Sequence, residues 1–201
     1  GVTINGDLDL SFLNGGGARV LNGLVLNGTA RLGNQTNNSA WGYLSFSGTQ
    51  SLTGNGTIAL GVHHCNLLRV EDAGTSLTIG PNILGRGHSG RIGWDGNGCI
   101  GGPINVGVIN QGTIAADVAG GTIQTRAQPL TNGGSLQAGP GTITVTGLSG
   151  NVGNATVTGG GTLDLDGTYV NEQNRMINGS TLVLRGTWTN TASIAVSGGT
   201  L

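Results

Sequence analysis

Lysine is absent from this 201-residue chain, aromatic residues make up 3% of it, and charged residues make up 8%. An ordinary soluble domain carries about 25% charged residues, so the surface here must be built from other polar groups. Eight arginines against nine acidic residues leave a net charge of −1. That balance excludes the broad positive footprint by which proteins hold nucleic acid or an anionic membrane surface. Four prolines and no three-residue period exclude a collagen-type triple helix. No apolar run reaches the about 18 residues that a membrane-spanning helix needs, so no membrane span is expected. Low charge is not disorder here, because valine, isoleucine and leucine recur at regular places.

Two cysteines, Cys65 and Cys99, allow one disulfide at most. They are open to being bridged, free and buried, or stacked on neighbouring coils. The chain has no initiator methionine and no charged-then-apolar leader. Neither end supplies the polar cap that a solenoid terminus needs. The expectation is therefore a segment of a longer solenoid, with end-to-end stacking of copies into a fibre as the alternative.

Glycine is abundant, with 42 residues, and one short phrase recurs. It reads Gly102-Pro103-Ile104, Gly121-Thr122-Ile123, Gly141-Thr142-Ile143, Gly161-Thr162-Leu163, Ser180-Thr181-Leu182 and Gly199-Thr200-Leu201. The starts (121−102, 141−121, 161−141, 180−161, 199−180) keep an almost constant step of about 20 residues, as a repeat architecture requires. Most of these phrases open an alternating run, as in Ile104-Asn105-Val106, Ile143-Thr144-Val145 and Leu163-Asp164-Leu165. Period two is the mark of a strand with one buried face. A second short strand precedes each phrase, often introduced by asparagine, as at Asn110, Asn132 and Asn154.

Antiparallel hairpins do not explain so fixed a period, whereas a chain returning to the same corner does. The fold class expected is all-β: a right-handed parallel β-helix, or β-solenoid, with about 20 residues per coil and about ten coils, stacked about 4.8 Å apart. Ile104, Ile123, Ile143, Leu163, Leu182 and Leu201 then form one interior aliphatic ladder, and the asparagines form amide ladders at a corner. A single domain over 1–201 is expected. Its coils are irregular over 1–100 and regular over 101–201, with loops bulging at 34–39 and 86–98.

Asn-Gln-Gly-Thr-Ile (110–114), Gly-Gly-Thr-Ile (120–123) and Thr-Asn-Gly-Gly-Ser-Leu-Gln-Ala (131–138) resemble the repeat region of large secreted bacterial surface proteins. These are the passenger β-helices of the filamentous-haemagglutinin and autotransporter type. The resemblance covers 100–201 well and 1–99 loosely. It implies a right-handed parallel β-helix, export, and adhesion or stalk duty at the cell surface. It brings no catalytic signature with it.

Several residues remain as candidates for chemistry. Asp164 and Asp166 face solvent on one strand about 6.5–7 Å apart, and Asp7 with Asp9 repeats the device. Such a pair suits glycoside hydrolysis, but no basic residue stands close in sequence and Val183 occupies the matching place in the next coil. A solvated face is the preferred reading. In His63-His64-Cys65 a strand would point His64 away from its two neighbours, so at most two ligands converge and no metal site or cofactor is expected. Trp41, Tyr43, Arg86, His88, Arg91, Trp94 and Asp95 combine aromatics with charged groups, as sugar-stacking sites do. They are the expected ligand-binding set, with a surface glycan or a neighbouring-cell ligand as partner. The function expected is that of a non-enzymatic stalk or adhesin-like segment, extracellular or at the cell surface. A self-assembling fibre subunit and a carbohydrate-binding or polysaccharide-degrading β-helix are the alternatives.

Overall fold

The computed structural model describes residues 1–96 and 98–201, and every element among them is a β-strand. Three short strands make each early coil. The first coil holds β1 (Val2–Ile4), β2 (Leu8–Leu10) and β3 (Gly16–Val20), and the second β4 (Leu24–Leu26), β5 (Thr29–Leu32) and β6 (Gly42–Phe46). The third holds β7 (Gln50–Thr53), β8 (Thr57–Leu60) and β9 (Leu67–Val70), and the fourth β10 (Ser76–Ile79), β11 (Leu84–Gly87) and β12 (Gly90–Gly93). The fifth opens with β13 (Gly107–Asn110) and β14 (Thr113–Ala116). Beyond it come β15 (Thr122–Asn132), β16 (Ser135–Ala138), β17 (Thr142–Asn151), β18 (Asn154–Val157), β19 (Thr162–Asn171), β20 (Arg175–Asn178), β21 (Thr181–Asn190) and β22 (Ile194–Ser197).

All pairing is parallel and runs from one coil to the next. The result is a β-solenoid of about nine turns, with turns about 22 residues apart, or a rod about 43 Å long at strand spacing. The first face stacks β1, β4, β7, β10 and β13, the second β2, β5, β8, β11, β14, β16 and β18, and the third β3, β6, β9 and β12. Strand β15 then joins two faces: Ile123–Arg126 pair with β12, while Leu130–Asn132 pair with β13. From there a single bent strand per coil replaces two short ones. Its bend falls at glycine in the next three coils, Gly147, Gly167 and Gly186, each with φ between 77° and 155°. A Cβ on any of these would run into a backbone carbonyl of the coil beneath, that of Ala127, Leu148 or Gly167. Glycine is therefore required there twice over, by conformation and by contact.

The aliphatic ladder is real from Ile123 onward: Ile123 pairs with Ile143, Ile143 with Leu163, and Leu163 with Leu182. All four are at most 1% exposed. Ile104 does not belong to it. The coil below Ile123 places Gly90, not Ile104, in register, and Ile104 is 52% exposed outside any strand. The reason is an insertion: the step from Gly90 to Ile123 (123−90) is more than half as long again as that from Ile123 to Ile143 (143−123). The Gly102-Pro103-Ile104 phrase lies inside that insertion and only imitates the repeat. Leu201 is also outside the dry column. Thr200 bridges Thr181, and Leu201, the next residue, is 61% exposed. Nor does 86–98 form one loop, because Arg86 and Gly87 end β11 and Gly90–Gly93 are β12. Position 97 of that stretch lies outside the described residues. The strand-free excursion between β12 and β13 covers 94–96 and 98–106, and Val106 at its end is already back in the core.

Asparagine ladders exist as pairs. Asn110 Nδ2 donates to Asn132 Oδ1 at 2.7 Å, Asn171 to Asn190 at 2.6 Å, and Asn27 to Asn5 at 2.9 Å. Asn154 leaves the Asn110–Asn132 series, since it sits over Ser135. One buried polar group was not foreseen. Arg175 is 8% exposed and inward-facing between β18 and β20, which do not pair. Its guanidinium donates to the carbonyls of Ala155 (2.6 Å) and Gly153 (3.1 Å) and to Asn171 Oδ1 (2.6 Å). It thus serves carbonyls that a neighbouring strand would otherwise take. Burial lowers its pKa.

Replacing Ile123 or Leu163 by aspartate buries a charge with no partner, which costs about 4 kcal/mol or more. Both variants should lose the cooperative thermal transition in circular dichroism, while Ile123→Val should cost about 1 kcal/mol. Wild-type melting of both aspartate variants would contradict the assigned core.

Candidate functional site

The seven residues expected to bind a ligand fall into three separate places. Trp41 and Tyr43 lie on the third face, their rings 6.0 Å apart and tilted by 33°. They cover glycine backbone of the coil below: a Cβ on Gly17 would meet the Tyr43 ring and one on Gly15 the Trp41 ring. Both rings are half-buried, so they act as much to roof Gly15 and Gly17 as to present a platform.

Arg91, Trp94 and Asp95 belong to the base of the 94–106 excursion. Arg91 stands on the outward row of the third face, in register over Leu67, which is in turn over Tyr43. Its guanidinium is paired with the Asp95 carboxylate. Asp95 is 2% exposed, and its second oxygen accepts the backbone N–H groups of Cys99 (2.6 Å), Ile100 (2.6 Å) and Gly101 (3.0 Å). Burial pushes this carboxyl up. The three N–H donors and Arg91 outweigh that and hold it below the usual carboxylate range. Trp94 lies beneath Arg126, whose guanidinium carbon is 5.0 Å from the ring centroid, a cation–π contact. These residues therefore fold the excursion onto the rod. Gly98 abuts Arg91 and Gly102 abuts Arg69. Leu67, although in an outward row, is fully buried.

A disulfide fastens the same excursion. Cys99 is bonded to Cys65, with Cα atoms 5.7 Å apart. Cys65 sits at the corner between β8 and β9, in a turn rather than a strand. Strand alternation therefore does not govern His63-His64-Cys65, and the expectation that at most two of them converge is overturned. The three ligand atoms lie within 4.8 Å of one another. The imidazoles of His63 and His64 stack at 4.7 Å, His64 Nε2 is 3.5 Å from Cys65 Sγ, and His63 Nδ1 accepts the Cys65 N–H at 3.0 Å. Burial, then the neighbouring His64 and Arg91 charges, lowers the His63 pKa.

Arg86 and His88 occupy the third place. Arg86 is on the outer row of the second face, where register sets Arg31 over Asp9, Ala59 over Arg31, and Arg86 over Ala59. Small Ala59 between two arginines leaves a polar groove of about 420 Å³, lined by Arg31, Gln35, Thr57, Arg86, His88 and Asp117. Arg31 is paired with Asp7 and Arg86 with Asp117, so the groove is rich in hydrogen-bonding groups and nearly neutral.

The carboxylate pair Asp164/Asp166 has Val183 over Asp164, as the sequence indicates, but Arg185 stands over Asp166. Arg185 Nε donates to Asp164 at 2.9 Å. The basic partner comes from one coil up, which proximity in sequence does not reveal although the offset of one repeat does. Asp7 likewise pairs with Arg31, one coil on, whereas Asp9 accepts the Ser11 N–H.

No protein-family model matches the chain, and no curated protein and no solved structure matches it either.

Asp95→Ala removes a buried carboxylate with four partners and should cost about 3 kcal/mol, read by denaturant unfolding, with faster proteolysis within 94–106. The wild-type carboxyl has a folded pKa below its unfolded one. Its contribution is therefore complete above the ordinary carboxylate range and fades as pH falls through the depressed value. The proteolytic resistance of the excursion should fade in the same acid window, and resistance unchanged at the lowest pH would remove Asp95 as its anchor.

Proposed function

We propose that this chain is a non-enzymatic stalk or adhesin-like segment that holds its surroundings apart at an extracellular or cell-surface location. One observation carries the reading: the interior is a largely aliphatic column, while most of the charged groups are spent within the chain. Arg19–Glu71, Arg31–Asp7, Arg86–Asp117 and Arg185–Asp164 each tie different coils together, and Arg91–Asp95 ties down the excursion. Charges committed to holding coils in register support a load-carrying rod better than they support turnover. The Cys65–Cys99 bridge agrees with an oxidising compartment. The surface-protein passenger β-helices that the 100–201 repeats resemble have the same stacked-coil architecture.

A second reading rests on the second-face groove. Paired ions around an alanine floor offer donors and acceptors to sugar hydroxyls, which favours a neutral or weakly charged surface glycan at Arg31, Arg86 and His88. The Trp41/Tyr43 pair lies on another face and takes no part.

A rod that acts by length tolerates loss of a whole coil. Deleting 142–161 joins Gly141 to Thr162 in the same register and should shorten the particle by about 4.8 Å with its β spectrum kept. Polysaccharide degradation that disappears in Asp164→Asn would defeat the stalk reading. Glycan-array binding lost in Ala59→Trp, which fills the groove, would establish the second.

A further inference from the structure

We propose that reduction of the Cys65–Cys99 bridge converts the corner of the third coil into a four-ligand site for a thiophilic divalent cation, zinc above all. Ligand type, number and position all point there. His63, His64 and Cys65 bring their ligand atoms within 4.8 Å of one another without any rearrangement. Cys99 Sγ is held beside them, because it is bonded to Cys65 Sγ. Two thiolates and two imidazoles are the donor set of tetrahedral structural zinc. In the bridged state the sulfurs have no charge to offer and the set is incomplete, so the disulfide occupies the place of the metal.

The surroundings allow the exchange. A tetrahedral centre with Zn–S near 2.3 Å sets two sulfurs about 3.8 Å apart, so they must separate from bonding distance. Cys99 lies outside any strand, in the 94–106 excursion, so rotation of its side chain about χ1, with its N–H still on Asp95, supplies that movement. The excursion does not depend on the bridge alone, since the Asp95 carboxylate holds the N–H groups of Cys99, Ile100 and Gly101. Arg91 Nη1, 3.6 Å from Cys99 Sγ, is the nearest opposing charge and is already neutralised by Asp95. His63 Nδ1 accepts the Cys65 N–H, which fixes its ring beside the thiol. His64 is exposed, giving the cation a way in.

The chemistry balances. A phosphine attacks the disulfide, takes oxygen from water to become the phosphine oxide, and leaves two thiols. The cation then displaces the two thiol protons as it binds. Reoxidation by a disulfide-exchanging partner restores the bridge and expels the ion.

The test uses the whole chain, reduced with a water-soluble phosphine under anaerobic conditions and titrated with Co²⁺, then with Zn²⁺ in competition. One equivalent of Co²⁺ should give tetrahedral d–d absorption with a thiolate charge-transfer band, displaced by Zn²⁺. The bridged protein should give neither. His64→Ala and Cys99→Ser should each weaken binding by roughly tenfold or more, with the circular dichroism of the rod unchanged. Reduced protein that binds no tighter than bridged protein overturns the proposal. So does a Cys65→Ser/Cys99→Ser chain that binds as well as the reduced wild type, or a reduced chain that loses its β spectrum, because the site requires the folded corner.

Discussion

Everything in this molecule depends on one constraint: each coil must set its inward side chains directly over those of the coil before. Parallel pairing with like over like gives the dry column of Ile123, Ile143, Leu163 and Leu182 and, beside it, the row of Ile92, Thr125, Val145, Leu165 and Leu184. A slip by one residue would turn every one of these side chains to solvent. Both the glycine bends and the inter-coil ion pairs serve that register, the first by letting backbones approach, the second by latching outward rows together. A surface with few charges follows naturally, because outward positions often stack threonine on threonine, as in Thr122, Thr142, Thr162 and Thr181.

The repeat from Ile123 onward was legible because its phrase returns at an almost constant spacing and nothing interrupts it. The irregular half was legible only in kind. There the steps from Leu24 to Leu52 (52−24) and from Ser76 to Gly107 (107−76) are both well above the regular period, so corners of varying length hide the beat. Ile104 was misplaced for that reason: local vocabulary matched the repeat, but Gly90 already filled the coil below Ile123. The turn count, about nine, lies close to the about ten expected. Arg175 had no signal at all, since an arginine satisfied by backbone carbonyls leaves no acidic partner in the sequence to betray it.

The candidate residues were legible as residues and not as a site. Seven positions close in composition proved to occupy two faces and an excursion, because a corner separates Gly87 from Gly90 and redirects the chain. For His63-His64-Cys65 the error runs the opposite way: strand alternation is the wrong rule where a turn brings the three ligand atoms together. In both cases the decisive information was the position of a corner, and corners carry weaker sequence marks than strands.

Arg175 has a mechanical consequence. On the second face the backbone ladder runs from β2 to β18 and stops, and β20 and β22 form a separate pair. On the opposite side β19 and β21 remain joined through consecutive partners from Thr162 to Asn171. A seam open along one edge and continuous along the other is the geometry of a hinge. Amide protons of the last two coils should then exchange with solvent as a group of their own, ahead of the rest of the rod, and bending under load would concentrate at that joint.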